Sequence, residues 1–498
     1  MSGDRNSYGN ILKAIGLFGG VKVFQILVNI VKNKFVAILL GPTGMGIVGM
    51  LTSTTSLISS FTGFGLGTST VRDISASYSS GDSKRIGRTV AILRKLVWAT
   101  GILGALVTIA LANYLSLWAF GNEDYSTAFR ILSVILLFDQ LTVGETALMQ
   151  GTFHYRNMAK ASLYGSIIGL VISIPLYYRW GEGAIVPVII VSSLTALILS
   201  IVFTRKIDVQ KETVTFHDVI TDGRTMIVLG TVLAATSAFR LGGTYLQRAF
   251  ISNFGSLADV GLYAAGSAIA TQYIDVILGA MSSDYAPRLA AISHDSESFI
   301  ETINRQMKLM VTITIPFIVL FIIFARELII ILYSNEFLPI VVMIEWMMFS
   351  MFLRAISWCL SFSFVAKGES KAFFWNETAC TIYSLAFSIG GYYLAGFIGL
   401  GISFLITYVI YTAQMYFLAR AKFGFSFSED CLNLIVRQAL LLVASFIIIE
   451  LIRPSIWRYG IGLIALLFVS FASFKEFNKM ISIEEIIGAL KNKIHKRD

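Results

Sequence analysis

Long apolar runs separated by short polar breaks give the chain its plan. The runs are twenty residues or longer, the length of a helix crossing a bilayer. They predict about fourteen crossings, over residues 11–40, 45–70, 89–118, 128–150, 159–178, 184–204, 224–252, 260–286, 303–333, 338–366, 372–394, 398–420, 431–452 and 456–474. A membrane barrel would instead show segments of about ten residues with alternating polarity. The first run ends at the glycine-rich turn Gly41-Pro42-Thr43-Gly44-Met45-Gly46, yet it holds Lys13, Lys22, Lys32 and Lys34. At about 100° per residue, Lys22, Gln25, Asn29 and Lys32 fall on one stripe. Acyl chains would penalise each such charge by roughly 2.5–3.5 kcal/mol. The stripe therefore lines an aqueous cavity or takes part in an internal ion pair, while Lys13 snorkels to the interface.

Composition gives the same class. Of 498 residues, 56% are hydrophobic and 14% charged, with a mean hydropathy of +0.74. A soluble domain carries about a quarter charged residues, so this is an all-α integral membrane protein. Forty-one glycines against seven prolines suit closely packed membrane helices. Gly16/Gly20, Gly63/Gly67 and Gly165/Gly169 offer GxxxG spacings for such packing. Cys359, Cys380 and Cys431 lie in or beside apolar runs without a CxxC pair, which implies neither disulfides nor a metal site. No signal-peptide cleavage pattern follows the polar start.

The net charge of +9 is distributed as in a membrane protein rather than a nucleic-acid binder. Alternate connections are basic: Arg72 to Arg88, Arg156 and Lys160, Arg205 to Arg224, Arg288 and Arg305, Lys367 and Lys371, Arg420 and Lys422, and the tail from Lys475. The others are neutral or acidic, as in Gly121-Asn122-Glu123-Asp124. The positive-inside rule then puts both termini in the cytoplasm, with Arg453 and Arg458 as the exception on the outer side. Short motifs recur at an offset of about 213 to 217 residues: Gly46-Ile47-Val48 with Gly261-Leu262-Tyr263, and Met149-Gln150-Gly151 with Ala366-Lys367-Gly368. Six helices per unit make this a parallel repeat, hence two six-helix lobes in a V. The expected domains are a first lobe (1–205), a cytoplasmic linker (206–223), a second lobe (224–421), an extra helix pair (422–474) and an amphipathic tail on the inner leaflet (475–498).

Charges inside the runs are the candidate chemistry. Arg240, Thr244, Gln247 and Arg248 share a face of crossing seven, and Arg354 sits mid-way along crossing ten. The intramembrane acids are Asp139, Glu145, Asp275, Asp284 and Glu345. Structural pairing with a nearby cation is one reading for each acid, and ion coupling through Asp139, Glu145 or Asp275 is the other. Cations outnumber acids at similar depth, so a shared cleft would attract an anion such as a diphosphate. The four histidines are too dispersed for a metal set, and no phosphate-binding GxxxxGK[ST] loop occurs. The connections leave no room for a soluble catalytic domain, so no catalytic residue is assigned.

Several of these motifs together resemble the polysaccharide flippases of the multidrug/oligosaccharidyl-lipid/polysaccharide exporter superfamily, more narrowly the O-antigen and lipid III translocases of the Wzx type. The likeness rests on Lys34 ahead of Gly41–Gly46, Phe120-Gly121-Asn122-Glu123-Asp124-Tyr125, Gln150-Gly151, Tyr285-Ala286-Pro287-Arg288-Leu289 and Val365-Ala366-Lys367-Gly368, and spans about residues 10–420. It implies a bacterial inner-membrane transporter that moves an undecaprenyl-diphosphate-linked oligosaccharide from the inner to the outer leaflet by alternating access. Polysaccharide polymerase and chain-length proteins would be its partners. Lys34, Arg248 and Arg354 fall where such proteins line their cleft with cations; Lys22, Gln25, Asn29 and Arg240 join them from the stripes. No cofactor is expected, apart from coupling to H+ or Na+. Two departures stand out: the shorter lipid III translocases end after crossing twelve, and Met351 replaces an acid three residues before Arg354. A drug exporter of the same superfamily and a membrane polymerase or glycosyltransferase are the competing classes.

Overall fold

The structure, a computed structural model, describes residues 2–210, 212–452 and 457–480, with side chains from Phe24 onward apart from a few between 216 and 284. The side chains of Lys22 and Asp284, Arg453, and the part of the expected amphipathic tail beyond Met480 lie outside what is described. The described residues form helices and no strand: α1 (Ser2–Thr62), α2 (Leu66–Ser79), α3 (Ser83–Phe120), α4 (Ser126–Gly151), α5 (Tyr155–Trp180), α6 (Ile185–Thr204) and α7 (Phe216–Phe254). They continue with α8 (Leu257–Ala291), α9 (Ser296–Ile323), α10 (Ala325–Leu332), α11 (Val341–Ala366), α12 (Ser370–Phe423), α13 (Glu429–Leu451) and α14 (Trp457–Met480). Nine helical stretches among the described residues are long and apolar enough to cross a membrane. Three of these run to 39, 50 and 54 residues, about twice the length a crossing needs. Each is interrupted near its middle, at Gly41, at the 3-10 turn Gly181–Ala184 and at Ala395-Gly396.

The chain divides into two compact units, residues 1–264 with 331–337 and residues 265–330 with 338–498. In the first, the glycine-rich turn shrinks to a single residue. Gly41 alone takes a left-handed φ of 63°, and the helix resumes at once because proline suits a first helical position. Gly44 and Gly46 are therefore helical rather than in a loop. Gly46 serves packing: a β-carbon there would lie 1.8 Å from the Leu257 carbonyl oxygen, and one on Gly261 1.9 Å from that of Pro42. The two glycines that the sequence repeat pairs thus face each other, and α1 meets α8 backbone to backbone.

The α3–α4 pair is an antiparallel hairpin. Asp82 caps α3 by accepting from the amides of Lys84 and Arg85, and left-handed Gly121 ends it. Gly101 packs on Leu137 and Gly144 on Val97, so glycines seat both walls. The turn at Gly181–Ala184 likewise folds α6 back on α5, and Asn157 Nδ2 donates to the Phe203 carbonyl at 3.4 Å. A reciprocal Thr215–Asp218 capping box starts α7, and Arg88 reaches both Asp218 and Asp222 at 2.9 Å.

In the second unit, the 54 residues of α12 are two helices. At Ala395-Gly396, with Gly396 at φ 55°, the chain reverses inside the expected outer turn. The halves lie antiparallel: a β-carbon on Gly399 would touch the Gly391 carbonyl oxygen at 1.8 Å, and Ser403 Oγ donates to the Phe387 carbonyl at 2.6 Å. Tyr383 OH meets Gln414 Oε1 at 3.1 Å farther along the same seam. The single crossing expected over 303–333 is broken at Phe324, where α9 ends and the short α10 begins. Arg458 resolves its own anomaly. It is 8% exposed, and its Nη2 donates to Glu345 Oε1 at 2.7 Å and to the Ile322 carbonyl at 2.9 Å. Glu345, 1% exposed, neutralises it, so Arg458 does not count as an outer-loop charge.

Candidate functional site

Within the first unit, α1, α4, α5 and α6 line an open cavity of about 300 Å³ with both polar and apolar walls. Helical periodicity builds each wall. Gln25, Asn29 and Lys32 of α1 come three and four residues apart, and Thr142, Thr146 and Met149 of α4 repeat that spacing. Ser162, Gly165, Ser166 and Gly169 of α5 and Ser192, Ala196 and Ser200 of α6 complete the lining. Thr142 and Ser166 donate to the carbonyls one turn back, at 2.8 and 2.9 Å. Their oxygens remain free to accept from a guest. Gln25, Asn29 and Lys32 of the stripe thus face a cavity formed within their own unit. The α5 glycines also differ from expectation: β-carbons on Gly165 and Gly169 would make ordinary 3.7 Å contacts with Leu199 and Ser192. This GxxxG pair makes room for the cavity and is not a tight helix crossing.

Asp139 lies one turn along α4 from Thr142, and its carboxylate accepts from Ser193 Oγ at 2.6 Å. Among the described residues it has no cation partner. The other two expected coupling acids are held in ion pairs. Glu145 meets Arg94 at 3.3 Å, and Asp275 meets Arg354 at 2.5 Å. Arg354 also points a nitrogen at the Met351 sulfur at 3.7 Å.

The remaining cations are dispersed. Lys34 Nζ donates to the Tyr333 carbonyl at 2.5 Å, on a different bearing from the cavity stripe. Arg240 is exposed, and no described residue pairs with its guanidinium. Arg248 is the most telling. Its Nη1 donates to the Gly49 carbonyl at 3.1 Å, its buried Nε has no hydrogen-bond partner, and no carboxylate pairs with it among the described residues. A half-buried guanidinium with donors to spare offers the chemistry an anion site needs.

Two features escaped the sequence reading. The serines and threonines of α4, α5 and α6 recur at helical spacing inside apolar runs, a signal as readable as the lysine stripe. Glu377 is the other: it accepts from Tyr411 across the α12 hairpin, and no cation pairs with it among the described residues. It stands close to Glu369 and Lys371 in sequence and reads as part of that interfacial group. The described residues hold no group of three His, Cys, Asp or Glu side chains able to bind a metal, and the three cysteines are free.

Residues 35–342 match the family model described as "Polysaccharide biosynthesis protein", which is more than half of the chain. The chain belongs to this family. The chain is 20% identical over 393 residues to the "Lipid III flippase" of Escherichia coli (strain K12), covering 78% of this chain and 92% of that one. The lipid III flippase of Shigella flexneri matches to the same extent. Of solved structures, "Lipid II flippase MurJ, inward closed conformation" superposes with a TM-score of 0.69 at 13% identity, covering 94% of this chain and 99% of that one. An inward-facing multidrug resistance MATE transporter of the MOP superfamily also gives 0.69, at 14% identity over 80% and 94%. The chain is thus a multi-pass membrane protein, helical throughout its described residues, with a MurJ/MATE-type fold.

Proposed function

We propose that this protein is a flippase for a lipid-linked oligosaccharide in the bacterial inner membrane. Arg248 carries the reading: a guanidinium inside a membrane helix, lacking a carboxylate and holding an unused donor, suits a diphosphate. Lys34 and Arg240 of the same unit add positive charge, whereas Arg354, in the other unit, is offset by Asp275. The lipid would be undecaprenyl diphosphate and the glycan an O-antigen, common-antigen or capsule repeat unit, moved from the inner to the outer leaflet by alternating access with both termini cytoplasmic. Proton or sodium exchange at Asp139, which accepts from the Ser193 hydroxyl and has no cation partner among the described residues, would reset the cycle. The polymerase and chain-length proteins would take over the product. A cationic drug is the weaker cargo, because Arg248, Arg240 and Lys32 would repel it.

Replacing Arg248 by Ala should abolish surface glycan in cells while protein level in the membrane stays normal, and Lys should restore part of it. Normal surface glycan in the alanine variant would remove the diphosphate role.

A further inference from the structure

We propose that a second cavity, between α9, α13 and α14, binds the phosphate headgroup of an anionic glycerophospholipid. The cavity measures about 560 Å³ and is separate from the hydroxyl-lined one. Arg305 and Lys308 of α9, Asp430 and Arg437 of α13, and Glu476 and Lys479 of α14 supply its charged walls. Glu476 is already committed, to Arg437 at 3.0 Å and to Lys479 at 2.9 Å. Against the desolvation of its burial, the hydrogen bond from Lys479 and the Arg437 charge hold its carboxyl below the usual range. Asp430 sits in the first turn of α13, where the helix dipole offsets it. That leaves Arg305 and Lys308, three residues apart on one helix face, with no hydrogen bond or ion pair to any described residue. Four cations face two acids, an excess of two positive charges at the mouth of the bilayer.

A lipid fits this excess better than a soluble anion does. Leu432, Val436 and Leu440 of α13 are 47%, 49% and 65% exposed, and Phe471 and Phe474 of α14 are exposed beside them. Acyl chains can therefore lie along these helices while the phosphate stays with Arg305 and Lys308. All three helix ends belong to the face that the charge pattern assigns to the cytoplasm, where basic pockets between membrane helices take anionic headgroups.

The test uses the full chain in phosphatidylcholine nanodiscs, with or without phosphatidylglycerol, reading bound lipid by native mass spectrometry and the unfolding temperature. Phosphatidylglycerol should bind and stabilise the wild type. An Arg305→Gln/Lys308→Gln variant should lose about tenfold or more in phosphatidylglycerol affinity. Arg156→Gln/Lys160→Gln, a basic pair on α5, should bind as the wild type does. If the first variant folds poorly, Lys308→Glu alone serves, read by the same lipid count. Equal binding of phosphatidylcholine, or equal loss in both variants, overturns the assignment. A stabilisation reproduced by inorganic diphosphate alone makes the ligand a free anion and also overturns it.

Discussion

Replacing Glu345 by Leu strands the Arg458 guanidinium in the interior of the second unit. At 2.7 Å and an effective dielectric of about 20, the pair attracts by about 6 kcal/mol before desolvation is counted. Removing both charges from water offsets most of that, so the intact pair adds little net stability. Breaking it is different. With Glu345 1% exposed and Arg458 8%, no water can compensate the survivor, and the cost is about 3–5 kcal/mol for either single variant, Glu345→Leu or Arg458→Leu. The double variant removes the orphaned charge and should recover most of the loss. It stays below wild type by about 1 kcal/mol, because the Ile322 carbonyl loses its donor. Denaturant unfolding of purified protein in detergent, followed by tryptophan fluorescence, measures all four corners of this cycle. A single variant that loses less than about 1 kcal/mol, with additive losses in the double, would refute the reasoning.

Two further outcomes follow from the two cavities. Gly165→Leu should fill the hydroxyl-lined space rather than break a helix contact, so the unfolding temperature should hold while surface glycan falls at least severalfold; a collapsed unfolding temperature with unaltered glycan would count against the cavity. Because Glu476 is held below the usual glutamate range, its links stabilise above the free value of about 4.3 and fade as pH falls through the lower folded value. The unfolding-temperature gap between wild type and Glu476→Gln should therefore be full at pH 7 and close below about pH 4. A gap independent of pH would exclude the ionised carboxylate as its cause.

The helices were legible because burial in a bilayer demands uninterrupted apolar length, and 372–394 and 398–420 emerged as the two halves of α12 with the break in the expected turn. The Gly41–Gly46 segment was misread because glycine content signals a turn and a close helix approach equally, and only the backbone angles at Gly41 tell them apart. Period alone placed Gln25, Asn29 and Lys32 on one face, yet it gave no way to know which helices stand opposite. The acids divided for the same reason: Asp275 and Glu145 find cations on other helices, and Asp139 finds a serine, through contacts 51 to 79 residues apart in sequence. Arg458 looked like an exception to the charge rule until its partner, 113 residues away, was known.

The meeting of Gly46 and Gly261 sets a mechanical condition on the first unit. Helices cushioned by leucines can squeeze or spread as side chains change rotamer, but two bare backbones have nothing compressible between them. Here the spacing is already at its floor, so α1 and α8 can roll about this point without drawing nearer. The crossing acts as a stop: the two helices can turn or slide past one another there, but they cannot close further.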